Sequence, residues 1–176
     1  RSSSSINRDI AVFRAVLNLA LNDGYASSNR AWSQKLKPIK GATGRRDVYL
    51  DASQRARLLE QADLDIAKFI RALSLLTLRP GAIASLMVSN FDSRLSVLTV
   101  GKDKAGKDRK LTLPEPTAQF FAAQCKNKLP KALMFTRADG KTWDKDSWKK
   151  PIRTAALKAQ LPPNATAYTL RHSVIT

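Results

Sequence analysis

Three basic side chains stand in patterns suited to phosphate chemistry. They are Arg79 in Leu78-Arg79-Pro80-Gly81, Lys104 in Lys102-Asp103-Lys104-Ala105-Gly106-Lys107-Asp108-Arg109, and Arg171 in Tyr168-Thr169-Leu170-Arg171-His172. A guanidinium stays protonated and offers a planar fork that matches two phosphate oxygens, so the arginines suit charge stabilisation rather than proton transfer. A lysine can also give up its proton. Metal-free cleavage of a phosphodiester needs the charge on a five-coordinate phosphorus held, the departing sugar oxygen protonated, and a nucleophile supplied. Two arginines and a lysine meet the first two needs. Taken singly, each has an ordinary use: an arginine at the carbonyl end of a helix, or a lysine in a solvated turn.

These residues need elements to position them. Ile6, Ile10, Phe13, Val16, Leu17 and Ala20 recur at helical spacing after a run of serines, and Asn22-Asp23-Gly24 reads as a stop, which predicts a helix over about 5–22. Its broad apolar stripe suggests packing against further sequence. From Asn29-Arg30-Ala31-Trp32 to Pro38 and Arg46 the breakers predict a linker. Asp51 and Gln54 form a capping-box variant for a helix carrying Leu58, Leu59 and Ala62. A second helix is expected over about 64–77, with Ile66, Phe69, Ile70, Leu73, Leu76 and Leu78 buried and Arg79 at its end. Pro80-Gly81 ends or bends it, and a short helix with Ile83, Leu86 and Met87 follows.

Leu95, Val97 and Leu98 to Val100, a turn at 103–107, then Leu111 and Leu113 read as a hairpin. Pro114 and Pro116 open a helix through about 126 with Phe120 and Phe121 in the core. Leu133-Met134-Phe135 reads as a short strand or turn. Trp143 to Ala159 predicts another helix, with Pro151 near its start or kinking it, and Pro162-Pro163 stops it. The three tryptophans read as buried anchors, one per helix, and Tyr25 and Tyr49 as packing residues.

Bulk properties narrow the class. The 176 residues carry 31 Lys+Arg against 14 Asp+Glu, a formal net charge of +17. Residues 47–78 hold four basic and five acidic groups, so the surplus lies in separate blocks: nine against two over 1–46, six against two over 94–110, ten against three over 126–158. Brought onto one face, such blocks attract a polyphosphate and release its counterions. The sole cysteine, Cys125, rules out an intrachain disulfide and paired-cysteine metal clusters and fits a reducing cytoplasm. The sole histidine, His172, rules out a multi-histidine zinc site. The first residues lack the apolar stretch of a signal peptide, and no run approaches the ~18 apolar residues of a membrane span, so a soluble protein is expected.

In this order, the three landmarks resemble the catalytic domain of the tyrosine recombinases, the phage-integrase family, from about Ile6 to Thr176. The resemblance implies an α+β fold, mainly α-helical with a small antiparallel sheet. It implies a truncated catalytic domain over 47–176, preceded over 1–46 by the last helix of a DNA-clamping, core-binding module plus a linker. It assigns Arg79 and Arg171 to the phosphate. It makes Lys104 the general acid for the leaving 5′-oxygen, because Gly106 and Arg109 fall in register with the family's Lys-Thr-Gly-Lys-x-Arg hairpin; Lys102 and Lys107 are its rivals. Tyr168 occupies the slot where the family most often has histidine. An ordinary tyrosine titrates near ~10, so Tyr168 suits a hydrogen bond to phosphate better than a base. His172 follows as a supporting residue. Ala82 stands where the family usually has an acidic residue.

The resemblance also implies DNA contacts from Lys102, Lys107, Arg109, Arg45, Arg46 and Lys141. It places the nucleophilic tyrosine beyond Thr176, so this stretch is expected to bind DNA without cutting it. No metal or other cofactor is implied. The expected partners are a double-stranded recombination site and other protomers, as dimer or tetramer, with no membrane, in the cytoplasm of a bacterial or phage-infected cell and associated with its nucleoid. A mobile genetic element or phage is the implied context. Three rivals remain: a non-catalytic basic DNA-binding or architectural protein, a ribosomal or RNA-associated protein, and a type IB topoisomerase relative with the same chemistry.

Overall fold

The computed structural model describes residues 1–42, 48–101 and 108–175. The chain divides into two compact units, Arg1–Asp47 and Val48–Thr176.

The first unit holds α1 (Ser3–Asn22) and α2 (Arg30–Lys35). The Ser2 hydroxyl accepts the Ser5 amide and caps α1, as the serine run predicts. The segment expected to be a linker holds a helix: α2 forms within it, and the chain folds back along α1. Asn7 exchanges two hydrogen bonds with the backbone of Ile39, at 2.9 and 2.7 Å. Arg14 donates to the Leu36 carbonyl and the Trp32 indole donates to Asn18. Polar side chains on one face of α1 thus satisfy the backbone of a segment with no apolar period of its own. Val12, Phe13, Val16 and Leu19 are exposed. Tyr25 is 86 % exposed and Tyr49, in the second unit, 54 %, so neither is the packing residue expected.

The second unit is mainly helical with one small antiparallel sheet. Its elements are α3 (Ala52–Glu60), α4 (Leu64–Leu75), α5 (Pro80–Ala84), β1 (Phe91–Asp92), β2 (Val97–Val100), β3 (Arg109–Thr112), α6 (Glu115–Cys125), α7 (Lys149–Lys158) and α8 (Ala167–Ile175). The sheet order is β1-β2-β3, with Leu98 opposite both Phe91 and Leu111. β2 and β3 are the two strands the sequence predicts for the hairpin, and the turn expected at 103–107 lies outside the described residues. β1 was not foreseen, being two residues long; the Asp92 carboxylate accepts the amides of Arg94 and Leu95 and turns the chain into β2.

Helix α4 is the spine. Ile66, Phe69, Ile70, Ala72 and Leu73 are buried along it, and it packs against α3, α5, α7 and α8. Phe69 lies between two indoles, stacked at 5.8 Å on Trp143 and 5.5 Å on Trp148. Phe120, Phe121 and Phe135 form the neighbouring aromatic cluster, and the Arg71 guanidinium lies 5.0 Å from the Phe120 ring centre. Trp143 and Trp148 are buried as expected, but neither lies inside a helix.

α5 ends at Ala84, so Leu86 and Met87, expected in it, lie beyond it, and two further helix boundaries differ from expectation. α4 stops at Leu75 rather than at 77: the backbone is already extended at Leu76, which enters the core with Leu78, and Pro80 bars the helix from running on through Arg79. α7 begins at Lys149 rather than near Trp143. The Asp144 carboxylate accepts the amides of Asp146 and Ser147 and holds residues 144–147 in a turn. Pro151 then falls in the first turn of α7, where its missing N–H has no partner to lose.

Asp51 accepts the Gln54 amide while Gln54 accepts the Asp51 amide, completing the capping box of α3. The Gln54 amide and then the Ser53 hydroxyl hold the Asp51 carboxyl below its ordinary range. A carboxyl lowered in the folded state stabilises it fully above the unfolded value and loses that contribution as pH falls through the folded one. Asp51→Ala should therefore lower the thermal midpoint at neutral pH, and the difference from the parent should shrink as pH falls below 3.8, in a melt followed across pH. Phe69→Ala should cost about 3–5 kcal/mol of stability in urea titration, since it empties the space between two indoles.

Candidate functional site

Residues 76–79, between α4 and α5, run extended, with φ and ψ of −124° and 139° at Leu76 and −66° and 143° at Arg79. In extended backbone, successive side chains point to opposite sides. Leu76 and Leu78 accordingly enter the core, while Thr77 and Arg79 face out. Arg79 is thus not at the carbonyl end of a helix, as its sequence suggests. It stands just before Pro80, at the start of α5. Among the described residues it makes no ion pair or side-chain hydrogen bond.

Arg171 comes from α8. That helix starts with a reciprocal pair: the Thr166 amide donates to the Thr169 hydroxyl at 3.0 Å, and the Thr169 amide to the Thr166 hydroxyl at 3.3 Å. Ala167, Thr169 and Leu170 are buried, while Tyr168, Arg171 and His172, spaced i, i+3, i+4, share another face. From that face Arg171 Nε donates to the Thr77 carbonyl at 3.0 Å, across 94 residues of sequence. The second arginine is therefore bonded to the segment that presents the first, two residues or ~7 Å of extended chain before it. Tyr168 is 39 % exposed and His172 is exposed.

The other candidates stand apart or lie outside the described residues. Lys104, Lys102, Lys107, Arg45 and Arg46 belong to the latter group. Arg109 is exposed on β3 opposite Val100. Lys141 lies in a turn held to the start of α4, where the Ala138 amide donates to Asp65 at 2.8 Å. α4 has 12 residues and spans about 18 Å, so Lys141 is at the end of the spine opposite Thr77 and Arg171. A cavity of about 370 Å³ opens at that far end, lined by Asp65, Lys68, Lys128, Phe135 and Arg137 among others. The Lys128 ammonium donates to the carbonyls of Leu133 and Met134. Burial, and then the charge of Lys68, push its pKa below the ordinary lysine value. These bonds make Lys128 a brace for the 128–134 loop.

Sequence reasoning did not find Thr77. A backbone acceptor carries no side-chain signature; the only signal was the conflict between a helical pattern through 77 and a proline at 80.

No protein-family model matches the chain, and no curated protein sequence matches it. Solved structures do. A structure of the Tn1549 transposon integrase in complex with transposon right end DNA is similar at a TM-score of 0.79 and 19 % identity, over 99 % of this chain and 66 % of that one. Lambda integrase, as a dimer bound to a COC′ core site, is similar at 0.71 and 12 % identity, over 98 % and 65 %. XerA recombinase is similar at 0.60 and 20 % identity, over 99 % and 69 %. The fold is that of the tyrosine recombinases and integrases. At identities of 12 to 20 % the likeness is one of fold, and this chain spans about two thirds of the length of those structures. No helix of the described residues is long and apolar enough to cross a membrane.

An exposed arginine without a described partner contributes little to folding. Arg79→Ala should change stability by less than about 0.5 kcal/mol in chemical denaturation.

Proposed function

We infer that the chain is part of a tyrosine-type site-specific recombinase or integrase in which Arg79 and Arg171 hold one DNA phosphate. The observation that carries this reading is the bond from Arg171 Nε to the Thr77 carbonyl, which ties α8 to the segment bearing Arg79. It spends one of the five N–H donors of the guanidinium and leaves four for a ligand. Residues 47–176 are the truncated catalytic domain on this reading. Residues 1–46 are the end of a DNA-clamping module and its linker.

The chemistry follows from the groups assigned. A tyrosine C-terminal to the position of Thr176 attacks phosphorus and displaces the 5′-oxygen, forming a 3′-phosphotyrosyl link. Lys104 protonates the leaving oxygen, while the arginines hold the charge that builds on the non-bridging oxygens. A 5′-hydroxyl from a partner strand reverses the step. The phosphotyrosyl bond conserves the energy of the broken one, so the cycle requires no nucleotide or metal. Tyr168 donates a hydrogen bond to the phosphate, and His172 supports Arg171. Lys102, Lys107, Arg109, Arg45, Arg46 and Lys141 contact the DNA backbone. The working partners are duplex DNA and further protomers on it, in the bacterial or phage-infected cytoplasm.

The 176-residue chain should bind duplex DNA with an affinity that falls steeply with salt, and Arg171→Ala should lower the slope of log affinity against log salt by about one. Incubated with nicked target-site DNA it should yield no covalent adduct on a denaturing gel; an adduct would refute the placement of the nucleophile. In a chain extended to carry the tyrosine, Arg79→Ala and Arg171→Ala should each cut cleavage by about 10²–10³-fold with binding largely retained. Binding without any cleavage by the unmutated extended chain would identify an architectural DNA-binding protein instead.

A further inference from the structure

The last turn of α8 is clasped from the side opposite Arg171. Ser173 Oγ accepts the Leu50 amide at 2.8 Å and donates to the Thr169 carbonyl at 2.8 Å. The Ser173 carbonyl accepts from the Arg55 guanidinium at 2.7 Å. Leu50 is 2 % exposed, and Arg55 follows the Asp51 capping box on α3. Each group is therefore itself fixed. Residues 171 and 173 lie about 200° apart around a helix axis. One bond, from Arg171 to Thr77, holds one flank of α8, and the bonds of Ser173 hold the other. Together they fix the rotation of a nine-residue helix about its axis, and that rotation decides where the free nitrogens of Arg171 point.

The geometry points to Ser173 and Arg55 as positioning residues that aim Arg171 by locking the rotation of α8. The proposal deepens the phosphate reading above and rests on it. A side chain projecting from a helix turns with it, so release of the clasp swings the guanidinium away from Thr77, and a phosphate ligand displaced by even ~1 Å is functionally costly. Neither residue needs to touch DNA. Arg55 spends a donor on a backbone carbonyl, and Ser173 spends its hydroxyl hydrogen on another.

The test reads Arg171 directly. In the 176-residue chain, the Arg171 Nε–H resonance, assigned by its loss in Arg171→Lys, should be protected from hydrogen exchange. Ser173→Ala and Arg55→Gln should each lower that protection at least tenfold while core amides in α4 stay protected, and Ser173→Thr, which keeps the hydroxyl, should restore it. Unchanged protection in both variants overturns the proposal. The salt dependence of duplex DNA binding is measured on the same samples. Ser173→Ala should lower the slope by about one, as Arg171→Ala does, and the double variant should lose no more. Lost protection with an unaltered slope upholds the clasp and counts instead against Arg171 as a phosphate ligand.

Discussion

The hydrogen bond from Arg171 to the carbonyl of Thr77 is the contact on which the arrangement of the second unit turns. A bond from a charged donor contributes about 1.5–3 kcal/mol net, more than a neutral one, and it reaches a carbonyl that an extended segment leaves unpaired. It works only if α4 has ended before 77, if residues 76–79 alternate in and out, and if α8 lies alongside the spine with its polar face toward that segment. The first condition is met at Leu76, where the backbone is already extended. The second follows from Leu76 and Leu78, whose burial leaves Thr77 and Arg79 no side but the outside. The third is met by Ala167, Thr169 and Leu170, which sink the opposite face of α8 into the core.

The spine separates two kinds of basic residue. At its C-terminal end Arg79 is exposed and Arg171 half-buried, and both keep most of their donors. At its N-terminal end Lys128 is spent on carbonyls, and Arg137 pairs with Asp139 at 3.2 Å. A surplus of positive charge therefore does not define a site by itself. Among the described residues Arg79 makes no ion pair or side-chain hydrogen bond, and Arg171 commits its Nε to the Thr77 carbonyl.

What was readable in the sequence was what depends on near neighbours. The helix from Ser3, the Asp51–Gln54 box, the hairpin of Val97–Val100 with Arg109–Thr112, and the proline-opened helix with Phe120 and Phe121 all follow from residues a few positions apart. The fold class came instead from a family resemblance carried by the order of Arg79, Lys104 and Arg171 along the chain. The rest failed where a local pattern met a competing one. The helical period through 77 gave way at Leu76, where the backbone turns extended, and the apolar residues after Trp143 lost to the turn built on Asp144. Residues 29–42 have no period but found partners in Asn7, Arg14 and Asn18. Arg171 with Thr77, and Ser173 with Leu50, could not be read at all, because they join positions 94 and 123 residues apart through backbone atoms.

The placement of the three indoles gives each unit its own optical reporter. Trp143 and Trp148 flank Phe69 in the dry interior of the second unit, whereas Trp32 sits half-buried in the first with its N–H on Asn18. A buried indole emits further to the blue than one in contact with water, so the first two should report the packing around the spine and the third should emit further to the red. Unfolding of either unit therefore registers at a different wavelength, without a label having to be introduced.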